Sequence, residues 1–255
     1  MSPFRSIIIT GASSGIGEAL ALDYAGPGIR LGLTGRNLER LEGVAEACRT
    51  KGATVVTKAL AVDDRDAMAD WLLAFDQDRP VDLVIANAGI SGGTGSTPEG
   101  ETDSQTRAIF AVNLAGVINT VMPLLGPMRQ RGKGQIAIMA SLAGFVGFPS
   151  APAYCGSKAA VRVWGEGLRP WLAEDGIGVS VICPGYVRSR ITDQNDFPMP
   201  FFMEAEKASR IIRAGLAANK ARIAFPWPMV AVVRLLAMLP PAWLEPIMRR
   251  LPKKK

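Results

Sequence analysis

Two side chains one helical turn apart, Tyr154 and Lys158, carry the strongest chemical signal in this 255-residue chain. Residues four apart project from the same face of a helix, because an α-helix has about 3.6 residues per turn. A phenol has an ordinary pKa of about 10, and a neighbouring ammonium group favours its ionised form. The chain contains no histidine, so acid–base work falls to tyrosine, lysine, aspartate or glutamate. We therefore expect Tyr154 to donate or accept a proton, with Lys158 as its activator.

A run of small residues at 10–17, Thr-Gly-Ala-Ser-Ser-Gly-Ile-Gly, stands between a predicted strand and a predicted helix. Glycine permits a tight turn and close approach of a pyrophosphate, and the N-terminus of the following helix offers unpaired N–H groups. An ordinary turn rich in small residues is the alternative, but the strand–loop–helix context favours dinucleotide binding. The residues expected to form this phosphate-binding loop are Gly11, Ser13, Ser14, Gly15, Ile16 and Gly17.

Strands and helices alternate along the chain and must position these groups. Apolar, β-branched runs predict strands, and stretches of helical period separate them. Continuous apolarity is typical of parallel strands buried on both faces. The pattern predicts an α/β fold, a Rossmann-type doubly wound parallel sheet of about seven strands with helices on both faces. The predicted strands are 6–10, 30–34, 54–59, 82–86, 135–140, 178–183 and 222–225, and the predicted helices are 15–25, 38–51, 64–76, 104–128, 153–174 and 204–219.

The composition predicts a domain at 1–225 and a C-terminal helical extension at 226–255. In the extension, the apolar run 229–239 is shorter than the roughly 20 residues that span a bilayer. Trp243 and a basic terminus follow. Two interpretations stay open: a helix that packs on its own domain, a dimer mate or the substrate pocket, or an interfacial membrane anchor.

Charge and cysteine content exclude several functional classes. Five residues at 249–255 supply five of the six net positive charges, so the body is almost neutral and nucleic-acid binding is not expected. The three cysteines, Cys48, Cys155 and Cys183, show no paired spacing, so neither a disulfide framework nor a metal site is predicted. The N-terminus lacks a secretory pattern. We expect a cytoplasmic protein, or one peripheral to a membrane if the extension is an anchor.

The motifs, taken in order, resemble those of the short-chain dehydrogenase/reductase family. The segment at 10–17 resembles its TGxxxGxG cofactor motif, and Ala86-Asn87-Ala88-Gly89 resembles its NNAG with the first position changed. The match runs from residue 6 to about 225. The remaining matching positions are Asn113, Ser141, Tyr154 and Lys158 of YxxxK, Pro184-Gly185 and Thr192.

This resemblance implies hydride transfer between a nicotinamide and a carbonyl or alcohol. It implies a catalytic set of Asn113, Ser141, Tyr154 and Lys158. Ser141 would hydrogen-bond the substrate oxygen, Lys158 would also bind the nicotinamide ribose, and Asn113 would hold a water. It further implies a homodimer or homotetramer built on the helices of Asn113 and Tyr154. The other cofactor contacts it implies are Asn87, Ala88, Gly89, Pro184, Gly185, Val187 and Thr192.

The end of the second predicted strand favours NADP(H) over NAD(H). Gly35 and Arg36 stand where an NAD-preferring member of the family typically has an acidic residue, and an arginine suits a 2′-phosphate. A solvent-facing Arg36 is the alternative. After the third strand, Ala61-Val62 replaces the family's Asp-Val, so Val62 is expected to line the adenine slot. Whether Asp63 replaces the missing aspartate stays open.

The leading hypothesis is a carbonyl reductase or alcohol dehydrogenase that acts on an apolar small molecule. The alternatives are a membrane-associated reductase of lipid-like ketones and an NADP-binding regulator without turnover. Substrate identity is expected to depend on the loops at 91–100 and 185–200, the second long enough to be a lid, and on the extension. The phenylalanines predicted to line an apolar pocket are Phe145, Phe148, Phe197, Phe201 and Phe202.

Overall fold

Seven parallel strands form one sheet in the computed structural model, which describes residues 3–94, 100–193 and 197–250. The sheet order is 3-2-1-4-5-6-7 in chain numbering. The predicted fold class is confirmed, and three strands have the predicted bounds. The strands are β1 (Ser6–Thr10), β2 (Arg30–Gly35), β3 (Thr54–Ala59), β4 (Leu83–Ala86), β5 (Gly134–Met139), β6 (Ile177–Pro184) and β7 (Arg222–Phe225).

Helices cover both faces of the sheet because successive strand residues point to opposite sides. Ile7 and Ile9 of β1 pack in one layer, and Ile8 packs in the other. The first layer holds α1, α2 and α7, and the second holds α3, α5 and α6. The helices are α1 (Gly15–Tyr24), α2 (Leu38–Thr50), α3 (Arg65–Asp78), α4 (Asp103–Phe110), α5 (Gly116–Gln130), α6 (Pro152–Ala173), α7 (Ala205–Ala217), α8 (Trp227–Ala237) and α9 (Pro241–Met248).

Strand β3 departs from the prediction that every strand is buried on both faces. Thr54, Val56 and Lys58 are exposed, and Val55 and Thr57 are only partly buried. The reason is its position at the edge of the sheet, where β2 is its one partner strand. The burial prediction is therefore wrong for β3, although its bounds are as predicted.

The single helix predicted at 104–128 is interrupted. A π-helical turn, Ala111–Ala115, joins α4 to α5 and carries Asn113. In the described part of the chain, the continuous segment Asp103–Gln130 is long and apolar enough to cross a membrane, but half of its apolar window is buried inside the protein. We assign it to the core, because it packs against α3 and the sheet.

The C-terminal extension forms α8 and α9 over its described residues. Val233 of α8 is buried in the second core layer, and Met229 and Val230 pack against the same layer. Met248 at the end of α9 is also buried. The division of the chain at residue 225 stays a prediction. Of the predicted loops, 95–99 and 194–196 lie outside the described residues, as does the basic terminus 251–255.

Candidate active site

A cleft of about 340 Å³ opens at the carboxyl ends of the strands, beside β1 and β4. The strand order reverses at this pair, and α/β sheets bind ligands at such a switch point. The predicted site residues that line the cleft are Gly11, Ser13, Ser14, Gly15, Ile16, Arg36, Val62, Asn87, Ala88, Gly89, Ser141, Tyr154, Lys158, Pro184, Gly185, Val187 and Thr192.

Gly11 and Gly15 shape the phosphate-binding loop. Their φ angles are +66° and +59°, in the left-handed region that favours glycine. A Cβ on Gly11 would lie 2.8 Å from Ala88 Cα, and one on Gly15 would lie 2.9 Å from Ser189 Cβ. The first N–H groups of α1 have no partner within that helix, as at every helix N-terminus. The loop thus leaves backbone room and donors that fit a pyrophosphate.

Gly17 does not line the cleft, and its predicted role in cofactor binding stays a prediction. It is buried behind the loop, where a Cβ would lie 2.3 Å from the carbonyl oxygen of Gly11 and 2.6 Å from Asn87 Nδ2. Gly17 therefore allows α1 to pack against the loop.

Thr10 joins β1 to the segment after β4, a role that its position in the sequence did not predict. Its hydroxyl oxygen accepts hydrogen bonds from the backbone N–H groups of Asn87 at 3.0 Å and Ala88 at 3.1 Å. Asn87 Nδ2 donates to the Thr10 carbonyl oxygen at 2.8 Å. The predicted contact residues Asn87 and Ala88 are therefore held at a fixed distance from the phosphate-binding loop.

Arg36 and Arg40 lie at one end of the cleft, beside the end of β2. Both are exposed and line it, as does Asp63. Arg40 was missed, although a signal existed: Asn37 is a helix-capping residue type, and its Oδ1 accepts from Arg40 N at 2.8 Å. This cap begins α2 so that Arg40 lies one turn beyond Arg36. The Val62 side chain is buried against Gly116 of α5, and its carbonyl oxygen accepts from Asn119 Nδ2.

Tyr154, Lys158 and Ser141 meet at the other end of the cleft. The Ser141 hydroxyl hydrogen-bonds the Tyr154 phenol and also accepts from Ala143 N at 3.1 Å, which caps the short 3₁₀ turn Leu142–Gly144. Lys158 Nζ donates to the Met139 carbonyl oxygen at 2.8 Å. The end of β5 therefore positions both partners of the tyrosine.

Burial moves the pKa values of the phenol and the amine in opposite directions. Desolvation raises the pKa of Tyr154 to about 12, while the Ser141 hydrogen bond opposes that rise. Desolvation also lowers the pKa of Lys158 to about 8. Each shift favours the neutral form of its group. A positive charge brought next to the phenol would stabilise the phenolate, lower the pKa of Tyr154 and so favour release of its proton.

The start of α6, which carries Tyr154, is held by Glu101. One oxygen of this carboxylate accepts a hydrogen bond from Ala153 N at 2.9 Å. An acidic group at a helix N-terminus also interacts favourably with the helix dipole. The Glu101 carboxylate thereby links the loop after β4 to the turn that carries the phenol.

Asn113 is fully buried and does not line the cleft. Its Oδ1 accepts from Ile90 N at 2.8 Å, while its Nδ2 donates to the Ile90 carbonyl oxygen at 2.9 Å and to Ser157 Oγ at 3.0 Å. The π-helical turn brings this amide to the segment after β4. Asn113 therefore connects that segment to α6, and its predicted water contact stays a prediction.

The comparison with known families agrees with this geometry. A family model described as short chain dehydrogenase matches residues 5–197. The chain belongs to the short-chain dehydrogenase/reductase family. Its members are oxidoreductases that use a nicotinamide cofactor.

Relatives within the short-chain dehydrogenase/reductase family extend over the whole chain. An uncharacterized oxidoreductase of Myxococcus xanthus is 35% identical over 249 residues, which are 97% of this chain and 98% of the relative. A short-chain dehydrogenase from Sphingobium yanoikuyae in complex with NADPH shares the fold, with a TM-score of 0.79 at 22% identity and 98% of each chain covered. A short chain dehydrogenase from Mycobacterium paratuberculosis bound to NAD has a TM-score of 0.75 at 21% identity, covering 86% and 94% of the two chains.

The five phenylalanines predicted to line one apolar pocket lie in two separate parts of the structure. Phe145 and Phe148 line a second cavity, together with Cys155, Arg162 and Met248. The other three lie on the segment after β6: Phe197 packs edge-on against Tyr186, Phe202 lies under Arg188, and Phe201 is exposed. The prediction of a single phenylalanine-lined pocket is wrong for the described residues, because β5 and β6 place the two groups on separate segments.

Proposed function

We propose that this oxidoreductase transfers a hydride between NADP(H) and a carbonyl or alcohol substrate, with Tyr154 as the general acid or base. The observation that carries the proposal is the meeting of Tyr154, Ser141 and Lys158 at one end of the cleft whose other end carries Arg36. A phenol placed between a hydroxyl and an ammonium group is equipped to deliver or remove a proton.

Each side chain has a separate task in the reductive direction. Tyr154 donates its proton to the substrate oxygen, and Ser141 donates a hydrogen bond to the same oxygen. Lys158, fixed by Met139, stabilises the phenolate that remains. When bound, the nicotinamide supplies the hydride. In alcohol oxidation the same groups act in reverse, and Tyr154 removes the hydroxyl proton.

The contacts that would hold the cofactor follow the cleft from the phosphate-binding loop to the tyrosine. Backbone donors at Ser14, Gly15 and Ile16 would receive the pyrophosphate. Val62 would line the adenine slot, and Lys158 would bind the nicotinamide ribose. The remaining contacts proposed are Asn87, Ala88, Gly89, Pro184, Gly185, Val187 and Thr192, all of which line the cleft.

The preference for NADP(H) rests on the charge at the adenosine end. Arg36 and Arg40 are both exposed to the cleft there, whereas Asp63 is the acidic residue among those that line it. Two guanidinium groups suit the doubly charged 2′-phosphate and outnumber the carboxylate that would repel it. Related folds bind NADPH in one case and NAD in another, so the preference stays a proposal about these side chains.

We also propose a homodimer or homotetramer formed through the helical segment Asp103–Gln130 and α6. Soluble proteins rarely leave a large contiguous apolar patch open to water. The large apolar side chains exposed on these helices are Phe110, Ile118, Met122, Val163 and Trp171.

Fluorescence titration of the unaltered chain and of the Arg36→Asp variant with NADPH and NADH tests the proposed cofactor binding and the preference for NADPH. We expect tighter binding of NADPH and a reversed preference in the variant. A screen of apolar ketones and aldehydes for NADPH consumption then tests turnover. Binding of NADPH without turnover on any carbonyl would favour the non-catalytic regulator, whereas binding of neither nucleotide would contradict the proposed cofactor site.

A further inference from the structure

The outward side of the C-terminal helices is apolar. Trp227, Leu235 and Met238 of α8 and Trp243 of α9 expose between 64% and 80% of their surface. On α8, the spacings of eight and three residues place Trp227, Leu235 and Met238 on the same side of the helix. An ordinary surface helix places polar residues there. We call Trp227, Val232, Leu235, Met238, Trp243 and Ile247 the outer apolar surface.

The inward side of the same helices is anchored to the body. Val233 is buried in the core. The Met229 sulfur packs against Gly185, where a Cβ on the glycine would lie only 2.8 Å from the sulfur. At the far end, Met248 is buried beside Phe145 and Phe148. The two interpretations left open by the sequence are therefore compatible, because one side packs on the domain while the other is free to meet a partner.

The net positive charge of the C-terminal extension favours an anionic binding partner. Residues 226–255 contain six basic residues and one acidic residue, a net charge of +5 out of +6 for the chain. Arg234, Arg249 and Arg250 are exposed on the described part. Apolar side chains flanked by basic ones, with tryptophans among them, are the pattern that binds a bilayer of anionic lipids.

A second copy of the chain is the competing occupant. A two-fold contact through the outer apolar surface would bring two extensions of charge +5 together, and such like charges repel. An anionic lipid surface attracts the same groups. The charge distribution thus favours lipid over self-association at this surface.

We propose that the outer apolar surface docks on an anionic membrane surface, with the tryptophans and apolar side chains at the headgroup level and the arginines on the phosphates. The helices lie along the bilayer and do not cross it, because α8 has 11 residues and a span takes about 20. This inference does not depend on the proposed catalytic activity.

Co-sedimentation of the full chain with vesicles tests the docking. The vesicles contain phosphatidylcholine alone or phosphatidylcholine with phosphatidylserine. We expect binding to the anionic vesicles that weakens as salt is raised from about 0.1 M to 0.5 M. We expect the combined variant Val232→Gln, Met238→Gln and Trp243→Gln to lower that binding at least about tenfold.

A control is available on α2 and β3, away from both the extension and the helices proposed to form the oligomer. The combined variant Leu38→Gln and Val56→Gln also replaces exposed apolar side chains and should leave vesicle binding within about twofold of the unaltered chain. Circular dichroism melts show whether each variant folds, and sedimentation velocity gives its oligomeric state. If the triple variant of the outer apolar surface failed to fold, the combined variant Arg234→Gln and Arg250→Gln would test the same helices. We expect this variant to lose binding to anionic vesicles.

Three results would overturn the proposal. The first is equal, negligible binding of the unaltered chain to both kinds of vesicle. The second is vesicle binding that the triple variant of the outer apolar surface and the control variant retain equally. The third is an unaltered chain that does not bind vesicles, together with a triple variant of the outer apolar surface that dissociates an oligomer. That result would assign the surface to contact with a second copy of the chain.

Discussion

The Lys158 ammonium nitrogen lies 5.9 Å from the centre of the Tyr154 ring and is held there by a 2.8 Å hydrogen bond to the Met139 carbonyl oxygen. The amine is thus fixed by β5, while the helical spacing sets its distance from the phenol. This arrangement favours an ionised phenol through charge, and burial of both groups opposes it. The balance between these two effects is the basis for the predictions on proton transfer.

Tyr154→Phe should lower turnover by roughly 10²- to 10⁴-fold, because it removes the proton-transferring hydroxyl and keeps the ring. NADPH binding should change little. Steady-state NADPH oxidation and fluorescence titration measure the two effects. Tyr24→Phe is the matched control, since Tyr24 is buried in α1 away from the cleft and its hydroxyl has no hydrogen-bond partner in the described part of the chain. Equal losses in both variants would contradict the assignment of the acid to Tyr154.

Alcohol oxidation and carbonyl reduction should differ in their pH dependence. Oxidation needs the phenolate, and burial raises the pKa of Tyr154 to about 12, so the oxidation rate should rise with pH from near neutrality. Reduction uses the protonated phenol and should stay flat between about pH 6 and 7, below the pKa of Lys158, whose charge stabilises the phenolate that remains.

Lys158 adds a second feature to the oxidation profile. Its pKa is lowered to about 8 by burial, so the ammonium loses its proton as the pH rises through that value. The rise in oxidation rate should therefore flatten above about pH 8, and Lys158→Met should lower the rate below that pH. Profiles of kcat/KM in both directions measure this, and a reduction rate that climbs with pH would contradict it.

Arg40→Gln should weaken NADPH binding by roughly tenfold and leave NADH binding nearly unchanged, because a hydrogen bond to a charged group is worth about 1.5–3 kcal/mol. The exposed Arg107 on α4, which does not line the cleft, provides the control Arg107→Gln. Titration of both nucleotides measures the effect. Parallel weakening of NADPH and NADH would indicate a role in α2 stability rather than in 2′-phosphate recognition.

Asn113→Ala should lower the free energy of unfolding by about 2–4 kcal/mol, because it leaves both backbone groups of Ile90 and the Ser157 hydroxyl without their buried partner. Ser157→Ala removes one of these bonds and should cost about 1 kcal/mol. Urea denaturation measures both values. A stability unchanged by Asn113→Ala would mean that these bonds contribute little to the fold.

The sheet could be predicted almost completely from the sequence because the strands are short and mostly apolar, several of them rich in β-branched residues, and lie between turn-forming residues. Those runs did not show which strand lies at the edge, so the exposure of Lys58 on β3 was missed. The π-helical turn at Asn113 was missed for a related reason. It coincides with bonds to Ile90 and Ser157, which are remote in sequence and leave no local pattern.

The candidate site was also predicted in part from the sequence. Motif order placed Gly11, Ser141 and Tyr154 at the cleft correctly, since each follows the end of a strand or starts a helix. The same motifs could not separate Gly17, which packs behind the loop, from the glycines that line it. That distinction depends on how closely Gly17 packs against Gly11, where a side chain on Gly17 would have no room, and only the folded chain defines this packing.

The Thr10 hydroxyl joins both sides of the β1–β4 boundary, since its oxygen binds two backbone N–H groups across it. On the opposite wall of the cleft, an exposed ion pair joins Arg188 of the segment after β6 to Glu204. We therefore expect the opposite wall, rather than the β1–β4 boundary, to move when a nucleotide enters or leaves. Salt screens such exposed pairs, so ionic strength should affect how quickly a nucleotide leaves more than how it is oriented.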